Sequence, residues 1–561
     1  MRQLTPKTQL ATLRTEAKRW LKAFRDGDTQ ANARLKAAWP KAPDAPVLRD
    51  IQHALALEYG QAGWQALSET LAQNLLAALG EQDLADQLLQ HAWNGDLAMA
   101  RRVLERRPEA ARINLATAIV TGDLAEVRRR LAANPAQARE KTGPHQWEPL
   151  LYLCYAHLPL PAFAELSLEI ARALLEAGAD PKAEFNDGWD NSFTCLTGVI
   201  GQGEGVRPTH PRAVEMAELL IAAGADPFDG QALYNTSIVA DDVLWNDLLW
   251  RHCEARGTLG RWRDLPNPSI GGNIPLSVVD YLLGNAVIFG HIRRATWLVE
   301  RGANPNGVNA YSRRAHHANA QVLGRTQMAE HLVSLGAMPV VLDGLEGFQA
   351  AAMALDEARA REIAGRMPMV LQSPHALMQA AEANRADVIR LLLDLGVPPM
   401  AATPDGAHAF IRAGHAGALE AAKVLIEAGA DPDQRGGPYN ASGFGGAVHF
   451  RQTALIDYLA PFSRDIPALT RVGKLERIVA VLEAEPERLN VRLRGGRGAL
   501  FSLPDDEDLA AELAELLLAY GADPLAPDDK GITALDEARK RGLEGAADLM
   551  AAAVDRSGKR G

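Results

Sequence analysis

Cysteine is scarce: Cys154, Cys195 and Cys253 are the three in 561 residues. An odd number, so widely spaced, matches neither a disulfide framework nor a paired metal-ligand spacing, and it points to a reducing compartment. Aromatic residues make up 6% of the chain, which suits a core of alanine and leucine between thin elements rather than one built around large rings. No run approaches the roughly 18 apolar residues that cross a membrane. The charged residues 1–20 hold no apolar segment of the kind a secretory signal needs. Basic residues are outnumbered, 59 Lys+Arg against 70 Asp+Glu, for a net charge of -11. Such a chain repels a phosphate backbone unless its cations gather on one face, so nucleic acid is not an expected partner. Catalytic signatures are missing too: there is no Gly-x-Ser-x-Gly elbow, no His-Glu-x-x-His and no kinase set. With 47% hydrophobic residues, the chain is expected to be a cytoplasmic protein with a substantial buried core.

What is abundant is one recurring unit. Leu174, Leu220, Leu298, Leu332, Leu392, Leu425 and Leu517 are each followed four residues later by glycine, and each glycine by proline three residues on, from Gly178 and Pro181 to Gly521 and Pro524. The leucine would face a neighbouring helix, the glycine would end the helix in a left-handed conformation, and the proline would stop it resuming. Apolar residues at matching offsets, as in Val388, Leu391, Leu392 and Leu395 before Gly396, form one stripe of a 3.6-residue period. Arg294 and Arg301 interrupt that stripe before Gly302, which suggests a bend in the stack or a partly uncovered helix.

A second form opens with glycine and closes with proline thirteen residues later: Gly27 to Pro40, Gly95 to Pro108, Gly122 to Pro135, and Gly473 to Pro486. The Gly27 copy lacks the apolar stripe. Residues 354–371, with Pro368 but no opening glycine, read as a degenerate member.

These units resemble the ankyrin repeat. The stretch LEAAKVLIEAGADP ending at Pro432 is similar to the family's second helix and turn, Gly290-His291 and Gly414-His415 to its Gly-His turn, and GITALDEARKRG from Gly531 to its first helix. The resemblance implies an all-α ankyrin-repeat solenoid of about eleven or twelve helix pairs over residues 76–561. Successive turn glycines lie 46, 78, 34, 60, 33 and 92 residues apart, so only two intervals approach the family's period. Enlarged fingers are therefore expected at about 182–210, 228–285, 306–325 and 433–450.

Residues 1–75 read as a separate N-terminal helical cap. Leu13, Ala17, Trp20, Leu21 and Phe24 mark one amphipathic helix, and residues 47–59 another before Gly60 and Trp64. The segment resembles a helical module that precedes ankyrin repeats in various bacterial proteins. Its expected role is to cover the first repeat's apolar face.

The fingers carry the candidate partner surface. They are rich in amide and aromatic groups: Asn186 and Trp189; Tyr234 and Asn235; Asn309 and Tyr311; Tyr439 and Asn440. Such groups combine contact area with hydrogen bonding. The alternative is that they cap and pack their own loops. The glycine-rich GGPYNASGFGG from Gly436 and GQGEG from Gly201 lack the lysine and flanking strand and helix of a phosphate loop, so the first reads as a flexible finger. His316 and His317, adjacent on one helix, point about 100° apart and do not chelate together. Arg492, Arg494 and Arg497 read as a solvated finger. The acidic run Asp505 to Asp508 reads as a helix N-terminus, with a calcium or basic-partner site as its alternative. Should a ligand pocket exist, the repeat-poor stretch with Trp245, Trp250, His252, Cys253 and Trp262 is where it is sought, and where that stretch meets residues 309–317.

The expectation is a monomeric, bacterial, cytoplasmic protein-binding scaffold or regulator with a protein partner and no catalytic residue, metal or cofactor. The alternative is a secreted effector or toxin-system component that binds a foreign protein; an enzyme or small-molecule binder with a site in 234–320 ranks third.

Overall fold

The computed structural model describes residues 2–4, 8, 10–158, 160–186, 188, 191–205, 207–264 and 275–558. Helices dominate. The one sheet among the described residues is the hairpin of Glu184–Asn186 with Ser192–Thr194. None of the described helices is long and apolar enough to cross a membrane. From Glu81 onward the helices come as packed pairs, fourteen among the described residues when the 3-10 turn Ala499–Ser502 counts as a first member. That exceeds the eleven or twelve read from the pattern. The reason is visible at residues 228–285, expected to be an insert. They fold instead as the pair Gly230–Ser237 and Leu244–Ala255, followed by the short Gly260–Arg263. Cys253, four residues before Gly257, stands where other copies carry leucine and is fully buried, and Thr258 N–H closes the turn on its carbonyl at 2.8 Å. A cysteine in the leucine position hid the repeat.

The chain divides into two compact units, Gln73–Val341, and Met1–Ala72 together with Leu342–Gly561.

In Gln73–Val341, seven pairs run from Glu81–Asn94 and Leu97–Arg106 to His316–Val322 and Thr326–Ser334. Leu174, Leu220, Leu298 and Leu332 are all 0% exposed, as the stripe requires. Cys154 and Cys195, far apart in sequence, sit side by side in this core, where the hydrogen bond with the Cys154 thiol, then burial, push Cys195 well above the usual thiol range. Arg294 is not uncovered. It is 1% exposed, and its guanidinium donates to Asn246 Oδ1 at 2.7 Å, Asp242 O at 2.9 Å and Thr236 Oγ at 3.2 Å. The interruption of the stripe is thus an internal strut: three acceptors offset the desolvation of a buried cation. Arg301 lies over the Trp297 ring at 4.0 Å.

In the other unit, Leu392, Leu425 and Leu517 are likewise fully buried. All seven turn glycines of the chain have φ between +80° and +118°, a range that a Cβ disfavours. At the degenerate copy, Leu355 occupies the place of the opening glycine, thirteen residues before Pro368, and takes φ +58° itself. The glycine-rich run is ordered structure rather than a flexible finger: Gly436 bridges Ala441, and Gly443–His449 is a helix packed on Ala409–Ala416.

The N-terminal module has its own core of Leu13, Ala17, Trp20, Ile51, Leu55 and Leu67. Its helix Leu10–Arg25 packs against Glu544–Gly558, the final helix. Arg14 reaches Glu507 and Asp508, each at 3.3 Å, and Lys18 donates to the Asp508 carbonyl at 3.4 Å. The sequence placed this module over the first repeat; the structure seats it on the last pair. The acidic run divides accordingly. Asp506 caps its helix by accepting from Leu509 N–H at 2.9 Å, Asp505 pairs with Arg541 at 2.6 Å, and Glu507 and Asp508 meet the basic N-terminal helix.

Candidate protein-binding cleft

The site belongs to the unit Gln73–Val341 and is built from short hairpin tips, most of which lead into a first helix, while Gln202–Arg207 joins the first helix Cys195–Ile200 to its partner Ala213–Ala222. Tips close at Thr142 with Trp147, Gln202 with Arg207, and Val308 with Ala315, beside the Phe185–Phe193 pair of the hairpin. Local caps fix them. Thr194 Oγ accepts from Thr197 N–H at the start of Cys195–Ile200. Asp229 starts Gly230–Ser237 by accepting from Ala232 N–H at 2.9 Å and from the Thr197 hydroxyl at 3.0 Å. Burial pushes the Asp229 carboxyl up, and these donors offset that cost.

Between the tips lies a cleft of about 490 Å³, lined by Asn191, Phe193, Gln202, Gly203, Glu204, Gly205, Arg207, Gly230, Gln231, Tyr234, Asn235, Tyr281 and Tyr311. Three residues singled out in the sequence thus share one surface: Tyr234, Asn235 and Tyr311. Tyr234 donates to Glu204 Oε1 at 2.7 Å. The hydroxyls of buried Tyr281 and of Tyr311, 61% exposed, stand 2.6 Å apart. Burial first, then the neighbouring Glu204 and Tyr311, push the Tyr234 and Tyr281 phenols up. Asn235 is engaged from both sides, accepting from Gln231 at 2.8 Å and donating to Gly201 O at 3.4 Å.

Asn309 is 1% exposed; its Oδ1 accepts from the N–H groups of Tyr311 and Ser312, each at 3.0 Å, and its amide donates to Gly284 O. It holds the tip that presents Tyr311. Asn186, exposed on the hairpin, accepts from Gly188 N–H at 2.7 Å. Trp189, with Asp187 beside it, lies outside the described residues. Tyr439 and Asn440 belong to the other unit. There Tyr439 is 67% exposed with the Arg494 guanidinium 5.6 Å from its ring, and Asn440 takes φ +48° at the tip of its loop.

The sequence reading missed what lies beside Phe193. Trp147 is stacked between His145 at 4.5 Å and Phe185 at 4.4 Å, and Phe185 stacks on Phe193 at 5.3 Å. Trp93 meets Trp147 edge-on at 5.1 Å. Over the Trp93 ring, at 3.6 Å, sits the half-buried guanidinium of Arg207. Among the described residues no carboxylate pairs with it. Burial pulls Arg207 down, and burial followed by the charge of Arg207 does the same to His145 and His157. Arg207 follows GQGEG, a segment weighed only as a phosphate cradle. Tyr281 sits inside an apolar helix run and gave no separate signal.

Of the groups raised as metal candidates, His316 is fully buried with both ring nitrogens unbonded, and His317 Nδ1 accepts from Val340 N–H at 3.1 Å. The described residues contain no cluster of three or more His, Cys, Asp or Glu able to hold a metal.

Compared with known proteins, the chain matches no family model and no curated protein. Among solved structures, it is similar to an ankyrin repeat domain from Acinetobacter baumannii AYE, at 25% identity over 32% of this chain and 96% of that one, with a TM-score of 0.25. It is also similar to a chain in the complex of a predatory endopeptidase from Bdellovibrio bacteriovorus with an immunity protein, at 21% identity over 37% of this chain and 98% of the other, TM-score 0.25. Each likeness spans little more than a third of the chain or less.

Proposed function

We propose that this chain is a protein-binding module of the ankyrin-repeat type, and that the cleft between the tips of Gln73–Val341 receives a segment of the partner protein. The observation that carries this reading is the gathering of Tyr234 and Tyr281, from two helices, with Tyr311, Phe193 and Arg207, from the tips, around one cleft. Aromatic residues and arginine are the groups that dominate binding energy at interfaces, and tips held by a stacked scaffold need little ordering on association. The chemistry favours a binder over an enzyme. The Tyr234 and Tyr281 phenols are shifted away from ionisation, the reverse of what an activated nucleophile or base requires.

The test is site-specific photo-crosslinking. With a benzophenone side chain in place of Tyr311, the full chain in its native lysate is expected to form a covalent adduct with one protein. The same group at Met338, an exposed residue outside the cleft, is expected to form none. An identical adduct pattern from both positions refutes the assignment of the cleft.

A further inference from the structure

We infer that Arg207 is the anchor for a carboxylate side chain, Asp or Glu, carried by the partner segment beside an aromatic or large aliphatic residue. This rests on the reading of the cleft as a protein-binding surface and names what that surface selects.

The argument begins with the surroundings of the guanidinium. One face lies 3.6 Å over Trp93, which holds the plane and leaves the N–H edge to point elsewhere. A guanidinium has five donors in a fixed fork. Among the described residues, none of them meets a carboxylate, amide or carbonyl acceptor. Arginines nearby in the same unit are treated differently: Arg139 donates to Gly178 O at 2.6 Å, Arg212 to Glu215 at 2.9 Å, and Arg256 to Ala225 O at 2.9 Å. A half-desolvated cation without an acceptor is unfavourable, and a bidentate carboxylate is the group whose geometry matches the fork.

The rest of the cleft narrows the choice. Phe193 and Tyr311 offer ring surface in the same cleft as Arg207, suited to an apolar side chain adjoining the acid. Glu204 stands on the same wall with its Oε1 bonded to Tyr234. Its charge opposes a second acid or a phosphate of charge about -2, so a single carboxylate is favoured over an acidic run or a phosphoresidue.

The experiment probes the folded full chain with an array of short peptides. Each carries one central Asp, Glu, Asn, Gln, Lys or phosphoserine next to Phe, Tyr, Leu or Gly. Wild type is expected to retain Asp and Glu peptides with an apolar neighbour about tenfold or more above their Asn and Gln counterparts, the ratio for one charged hydrogen-bonded contact. Arg207→Gln is expected to abolish that ratio, Arg207→Lys to reduce it, and Arg207→Glu to transfer preference to the Lys peptides, each with an unchanged circular dichroism spectrum. Equal retention of acid and amide peptides, preference for phosphoserine, or a ratio that survives Arg207→Gln overturns the anchor. If peptides are nevertheless retained by wild type and lost with Tyr311→Ala, the cleft still binds protein and only the carboxylate assignment falls. If no peptide is retained, or retention ignores both residues, both fall.

Discussion

Two identical substitutions in the same unit are expected to have opposite effects. Gly365 lies in the helix Glu357–Arg366 with nothing within 4 Å of an added Cβ; Gly365→Ala should stabilise by up to about 1 kcal/mol, because alanine loses less backbone entropy in a helix. Gly414 lies in Ala409–Ala416, and there an added Cβ would meet the Gly443 carbonyl oxygen at 2.1 Å and its carbonyl carbon at 2.8 Å. Both atoms are backbone, so rotamer changes cannot relieve the contact. To restore an ordinary van der Waals contact of 3.4 Å or more from 2.1 Å the two first helices must part by more than about 1 Å, loosening the fully buried Phe410, Phe444, Ala413 and Ala447. Overpacking of this kind costs about 1 to 3 kcal/mol, which meets or exceeds the propensity gain. The expected gap between the two variants is about 2 kcal/mol. Urea unfolding of each, with midpoint and slope fitted separately, measures it. If Gly414→Ala stabilises as much as Gly365→Ala, the close approach of these helices is wrong.

The remaining expectations test burial of other kinds. His210 and His316, both buried, are held down to about 4 by desolvation. Their unfolded value is near 6.5, so the stability they represent is present above pH 6.5 and is lost as pH falls from there towards 4, up to about 3 kcal/mol each. Tryptophan-fluorescence melts should give a lower midpoint at pH 5 than at 7.5, and the double variant His210→Gln, His316→Gln should reduce that difference; equal midpoints for wild type would refute it. Arg294→Ala leaves Asn246, Asp242 and Thr236 with unmet groups at about 1 to 3 kcal/mol apiece, and Arg294→Lys should not restore the loss, since one ammonium cannot reproduce the fork. A lysine variant as stable as wild type would overturn the strut. Leu392→Ala is expected to cost about 2 to 5 kcal/mol by urea unfolding, and an unmoved midpoint would contradict its place in the core.

What the sequence disclosed follows from which positions admit few residue types. A left-handed turn after a helix admits glycine most readily, and a leucine one turn earlier must fill the space against its neighbour, so seven second helices could be read directly. Most first helices could not, Ala534–Lys540 excepted. Cys195–Ile200 has six residues, and His316–Val322 and Gly443–His449 have seven each; two turns are too few to show a period. A substituted core position hid another, as Cys253 shows. The residues taken for enlarged fingers were therefore mostly first helices preceded by short hairpin tips.

The same asymmetry governs the site. Tyr234 and Tyr311 were conspicuous because tyrosine beside asparagine in a turn-rich stretch is unusual against the alanine and leucine around it. Arg207 was not, because a single arginine in a glycine-rich loop has no distinguishing context until Trp93 is placed under it. Asn309 shows the converse: it has the right chemistry for contact, yet its carbonyl oxygen is occupied by the tip that carries Tyr311. Residue type pointed to the region of the proposed binding surface. Which residues face a partner is set by hydrogen-bond satisfaction, and that depends on neighbours more than a hundred positions away, as Trp93 is from Arg207. On the proposed reading, the cation with no carboxylate partner among the described residues, rather than the amide-rich loops that drew attention to it, is the feature of this cleft that would discriminate among partners.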